Sequence, residues 1–130
     1  MIQMSKYGSR KVTRNGITYD SLKEYRRFCE LSLLEKAGAI TDLQRQVSFE
    51  LIPAQFEDIE TGEFYKRGEL KGKPKTKRVC IEQSVKYVAD FVYTENGKTV
   101  VEDTKGFKTK DYIIKRKLML YVHGIKVKEI

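Results

Sequence analysis

The first helix is predicted by a stretch whose apolar residues recur every three or four positions. Ser21 followed by Glu24 has the form of a capping box, in which side chains satisfy the free backbone N–H groups of a helix start, and Gly38 marks the end of the stretch. The pattern therefore predicts a helix from about Leu22 to Ala37. Its apolar positions form a wide face suited to packing on a sheet: Tyr25, Phe28, Leu31 and Leu34.

A second helix is predicted near the end of the sequence. Thr109 is a suitable N-cap and Gly124 a suitable stop, so this helix spans Lys110 to His123. Alternating apolar and charged residues in Ile125–Ile130 then predict a final strand. The apolar positions of the second helix, at helical spacing, are Tyr112, Ile113, Leu118, Leu120 and Tyr121.

Strands are predicted on both sides of the first helix. Residues 12–19 predict a small hairpin, because Asn15 and Gly16 readily take the positive φ angles of a type I′ turn, although a simple loop before the helix is the alternative. Short apolar runs between Ile40 and Pro53 predict a strand region that ends at the proline.

A longer hairpin is predicted around Asn96 and Gly97. Val85–Tyr93 and Lys98–Lys105 have the pattern of paired strands on either side of this tight turn. The main elements then follow in the order helix, three strands, helix, strand. This order favours an α/β (α+β) fold with a mixed central sheet flanked by helices, and 130 residues give room for a single domain over residues 1–130.

The chain is strongly basic. Lys and Arg number 26 against 18 Asp and Glu, a formal net charge of +8, which favours a polyanion such as nucleic acid as partner. One basic run lies at about residues 57–78, where several glycines and few apolar residues predict a mobile insertion with a hairpin stem. The candidate nucleic-acid contacts are Lys71, Lys73, Lys75, Lys77 and Arg78 in this insertion, and Lys108, Lys110 and Lys115 near the second helix.

Some classes of protein are disfavoured. The apolar runs are far shorter than the ~20 residues needed to cross a bilayer, so no membrane span is expected. The N-terminal residues lack the apolar stretch of a secretory signal. Cys29 and Cys80 have neither metal-ligand spacing nor that of a disulfide framework, which fits a reducing cytoplasm.

The longer predicted hairpin carries acidic residues among its apolar positions. Counting from the centre of its turn places Asp90 opposite Asp103. In an extended strand Asp103 and Lys105 point to one face, whereas Glu102 and Thr104 point to the other. Two neighbouring carboxylates repel each other, so a compensating cation is expected.

Two interpretations account for this acidic pair. In one, Lys105 and other lysines neutralise a surface pair at the end of the hairpin. In the other, Asp90 and Asp103 bind Mg²⁺ (or Mn²⁺), an ion that prefers oxygen ligands, and Lys105 orients a water or stabilises a phosphate in hydrolysis. Glu24 could supply a third oxygen, although its capping role explains its presence equally well.

This ordered set of residues resembles the PD-(D/E)xK nuclease superfamily. Ala89 stands where the superfamily pattern has proline, a position that varies among its members. Nearly the whole chain apart from the insertion also resembles a phage-encoded family of small uncharacterised proteins assigned to that superfamily. The segments that carry this closer resemblance are Lys6–Gly8, Tyr19–Glu24, Gln46 before a strand, Tyr87–Phe91 and Val101–Gly106.

The resemblance implies an αβββαβ core and Mg²⁺-dependent cleavage of DNA phosphodiesters. Asp90 and Asp103 would then be metal ligands, with the backbone carbonyl of Thr104 as a further ligand. Lys105 would be the catalytic lysine and Glu24 the acid contributed by the first helix.

Other polar residues have alternative interpretations. Lys115 could reach a phosphate, and Gln46 could orient a ligand or water; ordinary surface roles are the alternative for both. His123 lies near a helix end, where cations are favoured, and is not expected to be catalytic. Tyr7, Tyr65 and Tyr112 interleave with basic residues and could stack on unpaired bases or simply cover the rim of the core.

The sequence thus predicts a metal-dependent DNA endonuclease of phage or prophage origin that acts in DNA recombination, replication or processing in the host cytoplasm. A homodimer and a branched substrate such as a Holliday junction are expected by analogy only. The alternative is a non-catalytic nucleic-acid-binding module whose acidic cluster is structural.

Overall fold

The computed structural model describes residues 2–4, of which it gives the backbone, and residues 10–130. The whole Lys6–Gly8 segment noted above, with Tyr7, lies outside the described residues. The elements follow one another as β1 (Ile2–Met4), β2 (Arg10–Arg14), β3 (Ile17–Tyr19), α1 (Leu22–Lys36), β4 (Thr41–Ile52), β5 (Gln55–Phe64), β6 (Pro74–Glu82), β7 (Val85–Glu95), β8 (Lys98–Asp103), α2 (Lys110–His123) and β9 (Lys128–Glu129).

The chain divides into two units. The first comprises Met1–Phe49 together with Tyr87–Ile130, and the second is Glu50–Lys86, which contains the predicted insertion. Within the described residues, no helix is long and apolar enough to span a membrane.

The first unit begins with a three-stranded sheet in the order β1-β2-β3. Arg14 lies opposite Ile17, and the intervening Asn15 and Gly16 have φ angles of 52° and 77°. These positive values are those of a type I′ turn, so the predicted hairpin is confirmed.

Helix α1 is capped as its sequence predicts. The Ser21 side chain accepts a hydrogen bond from the N–H of Glu24 at 3.1 Å, and Gly38 follows the helix with a φ of 78°. The helix buries Leu31 against its core, but Leu34, which was expected on the same face, is exposed. The other buried residue of this helix is acidic: it is Glu24, which lies one turn before Phe28.

The main sheet has the strand order β4-β7-β8-β9, with β7 and β8 antiparallel and β8 and β9 parallel. The sheet is therefore mixed, as predicted, and the domain belongs to the α+β class. Glu95 pairs with Lys98 and Phe91 with Glu102, which confirms the predicted turn and register. Strand β9 is shorter than the predicted Ile125–Ile130.

Strand β4 differs from the two short runs expected between Ile40 and Pro53, because it is continuous from Thr41 to Ile52. It contains two residues of positive φ, Asp42 at 55° and Gln46 at 53°. Left-handed backbone is uncommon for residues other than glycine, and Gln46 contributes to the site described below.

The core of the first unit is built from α1 and the main sheet. Its fully buried members are Leu31, Ile40, Phe91 and Tyr93, with Phe28, Leu43 and Val100 packed around them. Helix α2, capped by Thr109 and ended by Gly124 as predicted, buries Tyr112 and Met119. Leu120 and Tyr121 are exposed, contrary to expectation, because they are rotated away from the side of the helix shared by residues 112 and 119.

The second unit contains the antiparallel pair β5 and β6, named here the hairpin arm (Gln55–Glu82). Gln55 lies opposite Glu82 at its base and Phe64 opposite Pro74 near its end. The predicted hairpin stem is therefore present. Every residue of β5 is exposed, so the hairpin arm has little core of its own.

Candidate metal centre

The first unit brings the predicted acidic residues together. Glu24 projects from the first turn of α1, Asp90 from β7 and Asp103 from the last position of β8. Lys105 follows two residues after the end of β8. The capped helix start, the confirmed hairpin register and the end of the strand thus position the four side chains.

Glu24 is buried, and its two carboxylate oxygens have different partners. One carboxylate oxygen, Oε2, accepts the backbone N–H of Asp20 at 3.0 Å, next to the helix cap. The other, Oε1, accepts the Gln46 amide at 3.0 Å and lies 3.4 Å from the Arg45 guanidinium. Burial raises the pKa of Glu24, and the negative charge of Asp90 adds to this effect.

Gln46 joins two of the acidic residues. Its side-chain amide nitrogen lies 3.0 Å from Glu24 Oε1 and 3.3 Å from Asp90 Oδ1. Donation to both carboxylates offsets part of their mutual repulsion. The positive φ of Gln46 costs of order 1 kcal/mol, so its backbone is held by the surrounding structure in an unfavourable conformation.

Asp90 is oriented by the residue that follows β8. Asp90 Oδ2 accepts the Thr104 backbone N–H at 2.9 Å and the Thr104 hydroxyl at 2.8 Å. Thr104 was expected to point away from the acidic pair, but β8 ends at Asp103, so strand alternation no longer fixes the direction of Thr104.

Asp103 is 1% exposed, and its two oxygens have different surroundings. Oδ2 accepts the Tyr87 hydroxyl at 2.5 Å. Oδ1 is buried without a hydrogen-bond partner among the described residues and lies 3.6 Å from the Lys105 ammonium. Burial, followed by the negative charge of Asp90, raises the pKa of Asp103 to about 7.

Lys105 and Tyr87 complete the surroundings of Asp103. The Lys105 ammonium also lies 5.0 Å from the centre of the Tyr112 ring, whose face favours a cation. Burial and the bond to Asp103 raise the pKa of Tyr87 far above its ordinary value, so its hydroxyl remains a proton donor. The sequence placed Tyr87 only within a strand. Its contact with Asp103 depends on the packing of side chains on β7 and β8, which the sequence pattern does not give.

The sequence also did not indicate the contacts of Glu102, the residue before Asp103. This buried carboxylate accepts two hydrogen bonds from the Arg27 guanidinium, each at 2.7 Å, and one from the Tyr93 hydroxyl. Burial alone would raise the pKa of Glu102, but these donors outweigh it and lower the pKa. Glu102 is thus a charged, fully paired residue beside the less completely paired Asp103.

The donor set suits a hard divalent cation. One oxygen each of Asp20, Glu24 and Asp90 lies within 4.8 Å of the others, a group that could hold a metal ion. Asp90 also lies close enough to Asp103 to raise its pKa, and Asp103 offers Oδ1, which accepts no hydrogen bond from the described residues. Carboxylate oxygens are the preferred ligands of Mg²⁺ and Mn²⁺, so these residues fit such an ion. Asp20 was not anticipated as a member of the group.

The candidate nucleic-acid contacts near α2 have varied surroundings. Lys108 lies 3.5 Å from a carboxylate oxygen of Glu129, whereas Lys110 is exposed and Lys115 is partly buried. The ring of His123 contacts that of Phe49 edge to face. The candidates in the insertion belong to the second unit. Lys71 and Lys73 lie in the loop between β5 and β6, and Lys75, Lys77 and Arg78 lie on β6.

Comparison with known proteins gives one family. Residues 4–128 match the model of a family described as a protein of unknown function (DUF1064). Neither the curated proteins nor the solved structures include a match to this chain.

Proposed function

The chain belongs to the DUF1064 family, whose description states no activity, and from the site itself we propose that it is a metal-dependent DNA endonuclease. The observation that carries the proposal is the buried Asp103 beside Asp90: its Oδ1 accepts no hydrogen bond among the described residues and faces the ammonium of Lys105 at 3.6 Å. A purely structural carboxylate would gain stability from full pairing, as Glu102 has.

The roles of the residues follow from their contacts. Asp90 and Asp103 would hold Mg²⁺ or Mn²⁺ together with the Thr104 carbonyl, while Glu24 supplies a further oxygen. A bound divalent ion would neutralise charge on a phosphodiester and make water more acidic. Lys105 would orient the attacking water or stabilise the charge that develops on the phosphate.

Two uncharged side chains keep the carboxylates in position. Tyr87 donates to Asp103 Oδ2 and leaves Oδ1 directed toward Lys105. Gln46 donates to both Glu24 and Asp90 and holds them side by side. The net charge of +8 favours DNA as the substrate.

The test is a cleavage assay on linear duplex, single-stranded, flap and four-way-junction DNA with Mg²⁺, Mn²⁺ or EDTA. Asp103→Asn and Lys105→Ala are each expected to lower the cleavage rate by about 10³-fold or more while DNA binding is retained. Asp42→Asn and Lys126→Ala are matched controls at exposed positions and are expected to cleave normally. Full activity of Asp103→Asn would contradict the assignment of this site.

Metal binding can be measured without activity. Mg²⁺ or Mn²⁺ is expected to raise the Tm of the unmodified protein, because a ligand that binds only the folded state stabilises it. Asp103→Asn is expected to lose most of this rise, and Asp42→Asn to keep it. A rise of equal size in all three proteins would show that the ion binds elsewhere.

One observation favours the alternative of a non-catalytic nucleic-acid-binding module. Asp90 Oδ2 already has two donors from Thr104, so part of the acidic cluster is satisfied without a metal. DNA binding with neither cleavage nor a metal-dependent rise in Tm would select this alternative.

The proposed biological setting follows from the sequence resemblance to phage-encoded nuclease-like proteins. We place the activity in recombination, replication or processing of phage or prophage DNA in the host cytoplasm. A homodimer acting on branched DNA such as a Holliday junction is the narrower form of the proposal. Preferential cleavage of the four-way junction over linear duplex in the assay above supports that form.

A further inference from the structure

The charges of the second unit are divided between its loop and its paired strands. The loop at residues 65–73, named here the arm tip, carries one carboxylate, Glu69, and four cations: Lys66, Arg67, Lys71 and Lys73. The rest of Glu50–Lys86 carries six carboxylates and four cations, and so has a net negative charge. The excess positive charge that the sequence assigned to the whole insertion therefore resides in the arm tip.

The basic residues of the stem lie opposite a strand that carries several carboxylates. Arg78 lies directly across from Asp58 in the strand register, and its guanidinium is 4.2 Å from the centre of the Phe56 ring. Lys77 lies across from Ile59, and the carboxylates that flank Ile59 in sequence, Asp58 and Glu60, alternate to the other face of β5. The carboxylates carried by β5 give the stem a net negative charge, which weakens its overall attraction for phosphates.

The backbone of the arm tip is closed by hydrogen bonds. The Tyr65 N–H donates to Lys73 O at 3.0 Å, and the Gly72 N–H donates to Tyr65 O at 2.8 Å. Within this closure the Lys71 N–H donates to Gly68 O, which forms a tight turn with Leu70 at one of its two central positions. The turn thus presents Leu70 at the end of the hairpin arm.

The arm tip combines an exposed apolar side chain with neighbouring cations, as proteins that insert a side chain into the base stack of DNA do. Leu70 is 46% exposed, and Phe64 beside the arm tip is 55% exposed. Minor-groove-binding proteins insert such apolar side chains between base pairs while neighbouring Lys and Arg contact the phosphates. A protein partner would have to be acidic to offset the four cations, and DNA supplies both the negative charge and an apolar base stack.

We propose that the arm tip is a DNA-binding element in which Lys66, Arg67, Lys71 and Lys73 contact duplex phosphates and Leu70 inserts against the base stack. The identity of the ligand as DNA rests on the proposed function, but the element binds without metal or cleavage. The stem cations Lys75, Lys77 and Arg78, predicted from the sequence to bind nucleic acid, have only a minor part in this contact.

The first experiment compares two quadruple substitutions in the full chain, by fluorescence anisotropy on labelled duplex DNA in EDTA at several salt concentrations. The tip variant replaces its four cations with Gln, and the stem variant replaces Lys75, Lys77, Arg78 and Lys86 with Gln. Both remove the same charge from the same unit. Each lost phosphate contact lowers the slope of log K against log salt by about 0.9, so the tip variant is expected to lose about 3 to 4 and the stem variant less than about 1. Equal losses in the two variants would overturn the proposal, because net charge alone would explain them.

The second experiment tests the wedge with Leu70→Ser and the control Ile81→Ser, which alters a side chain of similar exposure on β6. The DNA carries 2-aminopurine, whose fluorescence rises when it is unstacked. Leu70→Ser is expected to bind about tenfold more weakly with an unchanged salt slope and to lose the fluorescence rise, and Ile81→Ser to behave as the unmodified protein. No rise with the unmodified protein, or equal behaviour of the two variants, would overturn the wedge.

A third experiment measures the binding of the same variants to duplex RNA of the same sequence. The A-form geometry of this RNA gives a wide, shallow minor groove, so Leu70→Ser is expected to have little effect on its binding, while the four cations still contact its phosphates. A tip effect confined to RNA would overturn the assignment to DNA. Because all binding is measured in EDTA, absence of cleavage would contradict the proposed endonuclease without affecting these results, and loss of the tip effect would leave metal-dependent cleavage standing.

Discussion

The surroundings of Asp103 favour its protonated, uncharged form when no cation is bound. Its environment is nearly closed to water, its Oδ1 lies 3.6 Å from Lys105, and Asp90 adds a second negative charge nearby. Because burial and like charge both oppose ionisation, its pKa rises to about 7. A divalent ion would reverse this balance by favouring the carboxylate form.

The metal-free protein is therefore expected to lose stability as pH rises. The pKa of Asp103 is higher in the folded state, about 7, than in the unfolded chain, about 3.9, so folding favours the protonated form. The contribution of Asp103 to stability is fully present below about pH 4 and is lost as pH rises through about 7. Urea unfolding in EDTA is expected to show a fall of about 2 to 3 kcal/mol between pH 5 and pH 8.

The matched substitutions for this measurement are Asp103→Asn and Asp42→Asn. Asp103→Asn is expected to remove most of the fall and to make the metal-free protein at least as stable as the unmodified chain at pH 8. Asp42→Asn, at an exposed position, is expected to keep the fall. A pH dependence that persists in Asp103→Asn would mean that another group titrates.

At the scale of elements, α1 is joined to β8 by a charge pair as well as by apolar packing. Arg27 is 17% exposed and donates to both oxygens of Glu102, which is fully buried. Phe28 follows Arg27 in sequence, and its ring stacks on that of Phe91, which lies across from Glu102 in the strand register. The link matters to the site because Glu24 precedes Arg27 by one turn and Asp103 follows Glu102.

Arg27→Leu is expected to destabilise the protein by about 3 kcal/mol, because it leaves Glu102 as a buried carboxylate without its cation. Arg26→Leu is the matched control, since Arg26 is the exposed neighbour on the same helix, and is expected to change the free energy of unfolding by less than about 0.5 kcal/mol. Chemical denaturation at pH 7 measures both. Equal effects of the two variants would show that the pair contributes little.

The whole molecule combines a unit with a buried core and a unit dominated by an exposed hairpin. The candidate metal centre lies in the first unit, and the excess positive charge of the second lies in the arm tip. Because the residues of β5 are all exposed, removing the hairpin arm takes away little buried apolar area. The two units are therefore expected to be separable in function.

Excision of Phe56–Ile81 tests this expectation. Gln55 and Glu82 lie opposite each other in the register, so an Asn-Gly turn can join them directly. The shortened chain is expected to unfold cooperatively with a Tm within about 5 °C of the full chain and to keep its metal-dependent rise in Tm. Its binding to duplex DNA should be weaker and less dependent on salt. A chain that is unfolded by circular dichroism would show that the hairpin arm is needed for the fold.

The sequence by itself determined the features that depend on local hydrogen bonding and turn chemistry. Ser21 and Thr109 begin the two helices, Gly38 and Gly124 follow them, and Asn96-Gly97 sets the register of β7 and β8. Each of these signals acts within a few residues, so it can be recognised without knowledge of the fold. Counting from the turn was enough to place Asp90 and Asp103 near each other.

Only the tertiary structure decided how the site is supported and where the charge of the insertion lies. The Gln46 amide reaches Asp90 from 44 residues away, and Arg27 reaches Glu102 from 75 residues away. Strand pairing brings the carboxylates of β5 and the cations of β6 into one stem, and the arm tip carries four cations against the single carboxylate of Glu69. These contacts join residues far apart in sequence, and local patterns carry no information about them because they form only when helices and strands pack together.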